Sequence, residues 1–178
     1  MHKPMFLKVL LFAAVFLSTA NSTVSAFNGI NQLLFNIVVN KLTFISENES
    51  ILKRQPTPVK VVDEHLRALN ACSFDRLMAQ YPNKAEVHLP DGVVIKGRTQ
   101  LQTLVADFVK SREQGGLCGL TFTPEYVSQV DQTINVQWRA EAPFLAEPYR
   151  GSDAYVTSNG LMYAQVTTFK ASDLKFKP

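Results

Sequence analysis

Four strand-like stretches follow one another between residues 120 and 170, and every helical periodicity lies before them. Within residues 132–142, Ile134, Val136, Trp138 and Ala140 alternate with Thr133, Asn135, Gln137 and Arg139, giving one apolar and one polar face. Residues 149–157 and 161–170 flank Ser158-Asn159-Gly160, where Asn-Gly predicts a tight hairpin turn. Residues 120–130 supply the remaining stretch. Helices first and a long antiparallel sheet afterwards argue an α+β domain, with the helices covering one face of a curved sheet.

The helical part begins at Thr57, a capping residue, followed by Pro58, which suits a first helical position. Val59, Val62, Leu66 and Leu69 form its apolar stripe. Ser73 heads a second, short helix carrying Phe74, Leu77, Met78 and Tyr81. Two short extended runs, 86–89 and 93–96, meet through Pro90-Asp91-Gly92, a turn sequence. After Gly97, the residues Leu101, Leu104, Val105, Phe108 and Val109 recur at i, i+3, i+4, i+7 and i+8, and Gly115-Gly116 is expected to end this third helix. The domain is therefore expected over residues 57–172, with 173–178 as a tail.

The segment before it reads differently. Residues 1–26 have the form of a signal peptide: His2, Lys3 and Lys8, then the apolar run 9–17, then small residues at Val24-Ser25-Ala26. Cleavage there predicts a secreted or periplasmic protein with no stable membrane insertion afterwards. No apolar run reaches the roughly 18–20 residues of a membrane span. In residues 27–56, Ile30, Leu33, Leu34, Ile37, Val38 and Leu42 recur at helical spacing, predicting one amphipathic helix and a polar linker. The leader holds two of the 18 basic residues and no acid, so 16 basic against 15 acidic residues remain, a net charge of +1. The remaining Lys and Arg are scattered, so no nucleic-acid partner is expected. Export would permit a Cys72–Cys118 disulfide; two buried thiols are the other reading.

Several segments in this order resemble the nuclear-transport-factor-2-like (NTF2-like) superfamily, in particular its SnoaL-like branch. They are residues 69–78 (LNACSFDRLM), 87–92 (VHLPDG), 96–98 (KGR), 149–153 (YRGSD) and 159–162 (NGLM). The resemblance runs from about Val59 to Phe169. It implies a cone: a strongly bent antiparallel sheet around helices, with a deep apolar pocket at the open end. It also implies a homodimer through the sheet as the default assembly. The superfamily includes ketosteroid isomerase, scytalone dehydratase, limonene epoxide hydrolase and polyketide cyclases, and many members without known catalysis, so fold does not fix activity.

By that resemblance, the base position of ketosteroid isomerase falls on Leu89, its tyrosine position on His65 and its acid position on Asp153. Leu89 cannot accept a proton, which excludes that mechanism. His65 lies on the apolar stripe and faces the expected pocket, where imidazole can act as acid or base; the other reading is a core histidine bonded to the sheet. Asp153 would orient His65 or donate a hydrogen bond as a neutral acid; otherwise it is a rim residue bound to Arg139 or Arg150. Leu161, Tyr163, Gln165, Thr167 and Phe169 are expected on one face of the last strand. Leu89, Trp138, Tyr155, Gln165 and Phe169 are taken as pocket walls. His88 is expected outward, Asp63 and Glu64 solvated, and Asp107 on the polar face of its helix. Beyond the leader only His65 and His88 remain, with no metal-ligand spacing. No glycine-rich phosphate or dinucleotide motif and no nucleophile elbow is present, so no cofactor is expected. The expected partner is a small apolar molecule. Its handling would be cofactor-free acid–base chemistry (isomerisation, dehydration, cyclisation or epoxide opening), or binding without catalysis.

Overall fold

A computed structural model describes residues 51–177, all within one compact unit spanning 44–178. The expected signal peptide and the helix expected after residue 27 lie outside the described residues. Thr57 is extended (φ −142°), and its hydroxyl accepts from the Lys60 N–H at 3.3 Å, which starts α1, Pro58–Asn70. The buried stripe of α1 runs through Val61, Val62, His65 and Leu66. Val59 does not join it: it is 37% exposed, because the helix presents Val61 to the sheet instead. Ser73 precedes α2, Phe74–Met78, without a side-chain capping bond.

Strands β1, Glu86–His88, and β2, Val94–Lys96, pair antiparallel around the Pro90-Asp91-Gly92 turn. Gly97, at φ +77°, then redirects the chain into α3, Gly97–Phe108. This helix stops at Phe108 rather than at Gly115-Gly116. Ser111 and Gln114 form a reciprocal capping box that starts a separate 3-10 turn, Arg112–Gln114, and Gly115 closes that turn at φ +83°. Cys72 and Cys118 are disulfide-bonded, joining the α1–α2 connection to the loop before the long strands. The bridge thus selects one of the two readings of those cysteines.

The long strands are β3, Thr121–Val130; β4, Thr133–Glu141; β5, Tyr149–Ser158; and β6, Leu161–Thr168. The six strands lie in the order β2-β1-β6-β5-β4-β3, antiparallel except for β1 beside β6. Asn159 and Gly160, at φ 49° and 73°, form the two-residue β5–β6 turn. Register shifts at Pro124/Tyr126 and at Val156/Thr157 bend the sheet. The second shift leaves Tyr163 as the extra residue of β6. Met162, with no exposure, therefore turns inward beside Thr157, and Tyr163, half-buried, has no residue opposite it on β5. The curved sheet and the three helices enclose a core that includes Leu77, Leu101, Ile134, Val136 and Met162.

Candidate functional site

The core does not close completely. Between α1, α3 and the inner face of the sheet lies a cavity of about 350 Å³. Leu69, Leu104, Val105, Phe108, Leu117, Phe122 and Phe169 supply much of its apolar wall. Leu89, Trp138 and Gln165 also line it, and so do His65 and Asp153. Tyr155 does not. It is fully buried behind the wall, its ring against His65 at 5.4 Å between centroids.

Gly151 shapes the sheet side of this cavity. It pairs with Trp138 across β4 and β5, and an added Cβ would overlap the Trp138 ring and stand 2.8 Å from the Thr168 carbonyl oxygen. The missing side chain lets the indole lie on the sheet. Trp138 then meets Phe122 at 5.2 Å and Tyr149 at 5.7 Å, and Tyr149 meets Phe169 at 6.1 Å. Residues beyond β6 complete the wall. Ala171 and Leu174 line the cavity, and the strand-like bridge Leu145–Phe176 ties the segment back to the β4–β5 connection. Phe176 stacks near Phe144, and the Arg112 guanidinium sits 4.0 Å over its ring.

A buried polar group lies on the same face. Tyr155 donates to Asp153 Oδ2 at 2.7 Å, Gln165 Nε2 donates to the same oxygen at 3.4 Å, and Tyr81 donates to Gln165 Oε1 at 3.2 Å. Burial pushes the Asp153 carboxyl above its ordinary range; Thr167, Tyr155, Trp138 and Gln165 oppose this by favouring the ionised form. Thr167 and Trp138 are thus near, yet Asp153 Oδ1 and Trp138 Nε1 meet no partner at hydrogen-bonding geometry. Burial, then the Asp153 charge, raises both the Tyr81 and Tyr155 hydroxyls. Burial lowers His65 to about 4, with Gln80 opposing, so its imidazole is neutral at pH 7. Gln80 approaches without satisfying it: both ring nitrogens and Gln80 Oε1 are unbonded.

His65 and Asp153 share the cavity but no hydrogen bond joins them; Tyr155 stands against both. Arg139 and Arg150 do not reach Asp153 either, since both pair with Glu125. Elsewhere, His88 pairs with Glu86, Asp63 with Lys60 and Asp107 with Lys110 at the surface. Glu64 is not simply solvated: its side chain is 18% exposed and bonds Arg76 at 2.7 Å and Arg67 at 3.2 Å. Tyr81 is the member of this polar group that the sequence understated. Its spacing marked it only as part of a helix face, while its hydroxyl enters the polar chain just past α2. Among the described residues, no group of three or more His, Cys, Asp or Glu could hold a metal ion, and no helix is long and apolar enough to cross a membrane.

This is the NTF2-like, cystatin-like α+β fold. An NTF2-like protein of unknown function from Cytophaga hutchinsonii superposes with a TM-score of 0.53 at 13% identity, over 68% of this chain and 96% of that one. An LEH-like epoxide hydrolase of Mycobacterium tuberculosis matches at 0.52 and 16%, over 66% and 85%. SalBIII, an epoxide hydrolase/cyclase-like enzyme of salinomycin pyran-ring formation, matches at 0.56 and 15%, over 67% and 95%. At such identities the likeness is one of fold. No family model and no curated protein matches the chain.

Proposed function

We propose that this is an exported protein that holds a small, mostly apolar molecule in the cone cavity. The observation that carries the reading is the cavity: about 350 Å³, walled by aliphatic and aromatic side chains, with a few polar groups gathered on the β5–β6 side. Apolar clefts of roughly 300–1,000 Å³ with a few placed polar groups are the usual form of small-molecule sites. The apolar leader at residues 9–17 and the Cys72–Cys118 bridge support export, since disulfides persist in oxidising compartments. Exposed Tyr126, Val156 and Val166 on the outer sheet face support a homodimer as the working form.

Calorimetric titration with a panel of uncharged cyclic alcohols, from adamantane to naphthalene size, tests the reading. One-site binding is expected, and Leu104→Trp, which fills the cavity, should abolish it. Equal binding by the filled variant, or none by the folded wild type, would end the proposal.

A catalytic version rests on one observation: a neutral imidazole with unbonded nitrogens lines the cavity. His65 would take a proton from a bound substrate in cofactor-free isomerase, dehydratase, cyclase or epoxide-hydrolase chemistry. At a pKa of about 4 it is a weak base at pH 7. That weak basicity favours binding over turnover. Turnover that disappears in His65→Ala while ligand binding persists would reverse that preference.

A further inference from the structure

Asp153 presents an unusual problem. It is 7% exposed, and no Lys, Arg or His bonds it. Buried carboxylates are ordinarily paired, because an isolated charge in a low-dielectric site is costly. Tyr155 and Gln165 both donate to Oδ2, so that oxygen is satisfied. Oδ1 is not, and the carboxyl lines the cavity. The cavity wall contains no Lys and no Arg. Nothing in it would attract an anion.

The surroundings of this carboxyl suit a cation. Register places Gly151 two residues before Asp153 on the same strand face, with Trp138 directly across on β4. The Trp138, Tyr149 and Phe169 rings line the same cavity as this carboxyl, with neighbouring centroids 5.7 and 6.1 Å apart. Aromatic faces attract ammonium groups, most strongly where water is excluded. A neutral imidazole has one nitrogen able to accept a hydrogen bond, and both nitrogens of His65 are unbonded. An ammonium brings three donors.

We infer that the cavity selects a lipophilic amine, its ammonium seated on the unbonded Oδ1 of Asp153 in a cavity that the Trp138, Tyr149 and Phe169 rings also line. The inference rests on the ligand-cavity reading above and names the chemical class of that ligand: an apolar body with one protonated nitrogen. The ammonium supplies the counter-charge that the protein lacks, and the aliphatic wall formed by Leu69, Leu104 and Val105 takes the body.

Three adamantane derivatives of nearly equal shape form the test: 1-adamantylmethylamine, 1-adamantanemethanol and 1-adamantanecarboxylate. Each is titrated calorimetrically into the full mature protein at pH 7. The amine should bind about tenfold tighter than the alcohol, the carboxylate weakest. Asp153→Asn should weaken amine binding about tenfold more than alcohol binding, removing the preference for the amine. If that variant fails to fold, the wild-type ranking still decides, because it needs no substitution. An alcohol that binds as tightly as the amine overturns the amine inference alone. Failure of all three to bind would overturn the ligand-cavity reading with it.

Discussion

His65 makes the fold acid-sensitive through one residue. Its pKa is brought from the ordinary 6.5 to about 4, by burial first and against the effect of Gln80. Between those values the unfolded chain binds a proton that the folded chain refuses. This part of the stability is therefore complete above pH 6.5 and is lost as the pH falls toward 4. The gap corresponds to about 3 kcal/mol over the whole window and about 2 kcal/mol between pH 7 and pH 5. Asp153 has the opposite sign: its carboxyl is raised on folding, so acidification relieves its burial. Comparing the wild type with His65→Gln separates the two, since Asp153 is common to both. Urea unfolding at pH 7, 6 and 5 should show the wild type losing about 2 kcal/mol relative to the variant. Parallel pH profiles would refute a neutral buried His65, and with it the electrostatic account of the cavity.

Other expectations concern the frame of the site. The Cys72–Cys118 bridge closes a loop of 46 residues, for which chain entropy gives about 4 kcal/mol, and measured bridges more often contribute about 2–4. Cys72→Ser/Cys118→Ser should lower the urea midpoint accordingly; an unchanged midpoint, or free thiols in the unreduced unfolded protein, would contradict the bridge. Gly151→Ala should cost about 1–3 kcal/mol by pressing on the Trp138 ring, read by calorimetric melting, and a neutral effect would mean the indole does not lie there. Arg98 donates to the carbonyl oxygens of Met78 and Tyr81. Arg98→Leu should therefore cost about 1–3 kcal/mol in the same assay, whereas wild-type stability would remove its structural role.

Much of the architecture was legible because local chemistry and tertiary packing agree there. Thr57-Pro58 sets the start of α1, Asn159-Gly160 sets the hairpin, and the alternation from Ile134 to Ala140 matches the buried face of β4. Departures occur where a longer-range constraint acts. The β6 bulge turns Met162 inward and leaves Tyr163 with no residue opposite it, and no local spacing announces it. The helix after Gly97 stops early, and Ser111 and Gln114 cap a new turn before the glycines that were expected to end it. His65, Asp153, Leu89, Trp138, Gln165 and Phe169 do share one cavity. Whether Tyr155 would line that wall or stand behind it depended on sheet curvature, and Tyr81's hydrogen bond to Gln165 spans 84 residues of sequence. Such placements follow from the curved sheet as a whole, not from any one segment.

The central claim is that the cone cavity receives a small apolar molecule. Trp138 is the only tryptophan and lines that cavity, so its indole N–H gives a single NMR signal for the site. Titrating the mature protein with 1-adamantylmethylamine and 1-adamantanemethanol should move that signal along one saturable curve for each ligand. An indole signal unmoved by both, in protein that remains folded, would contradict the account.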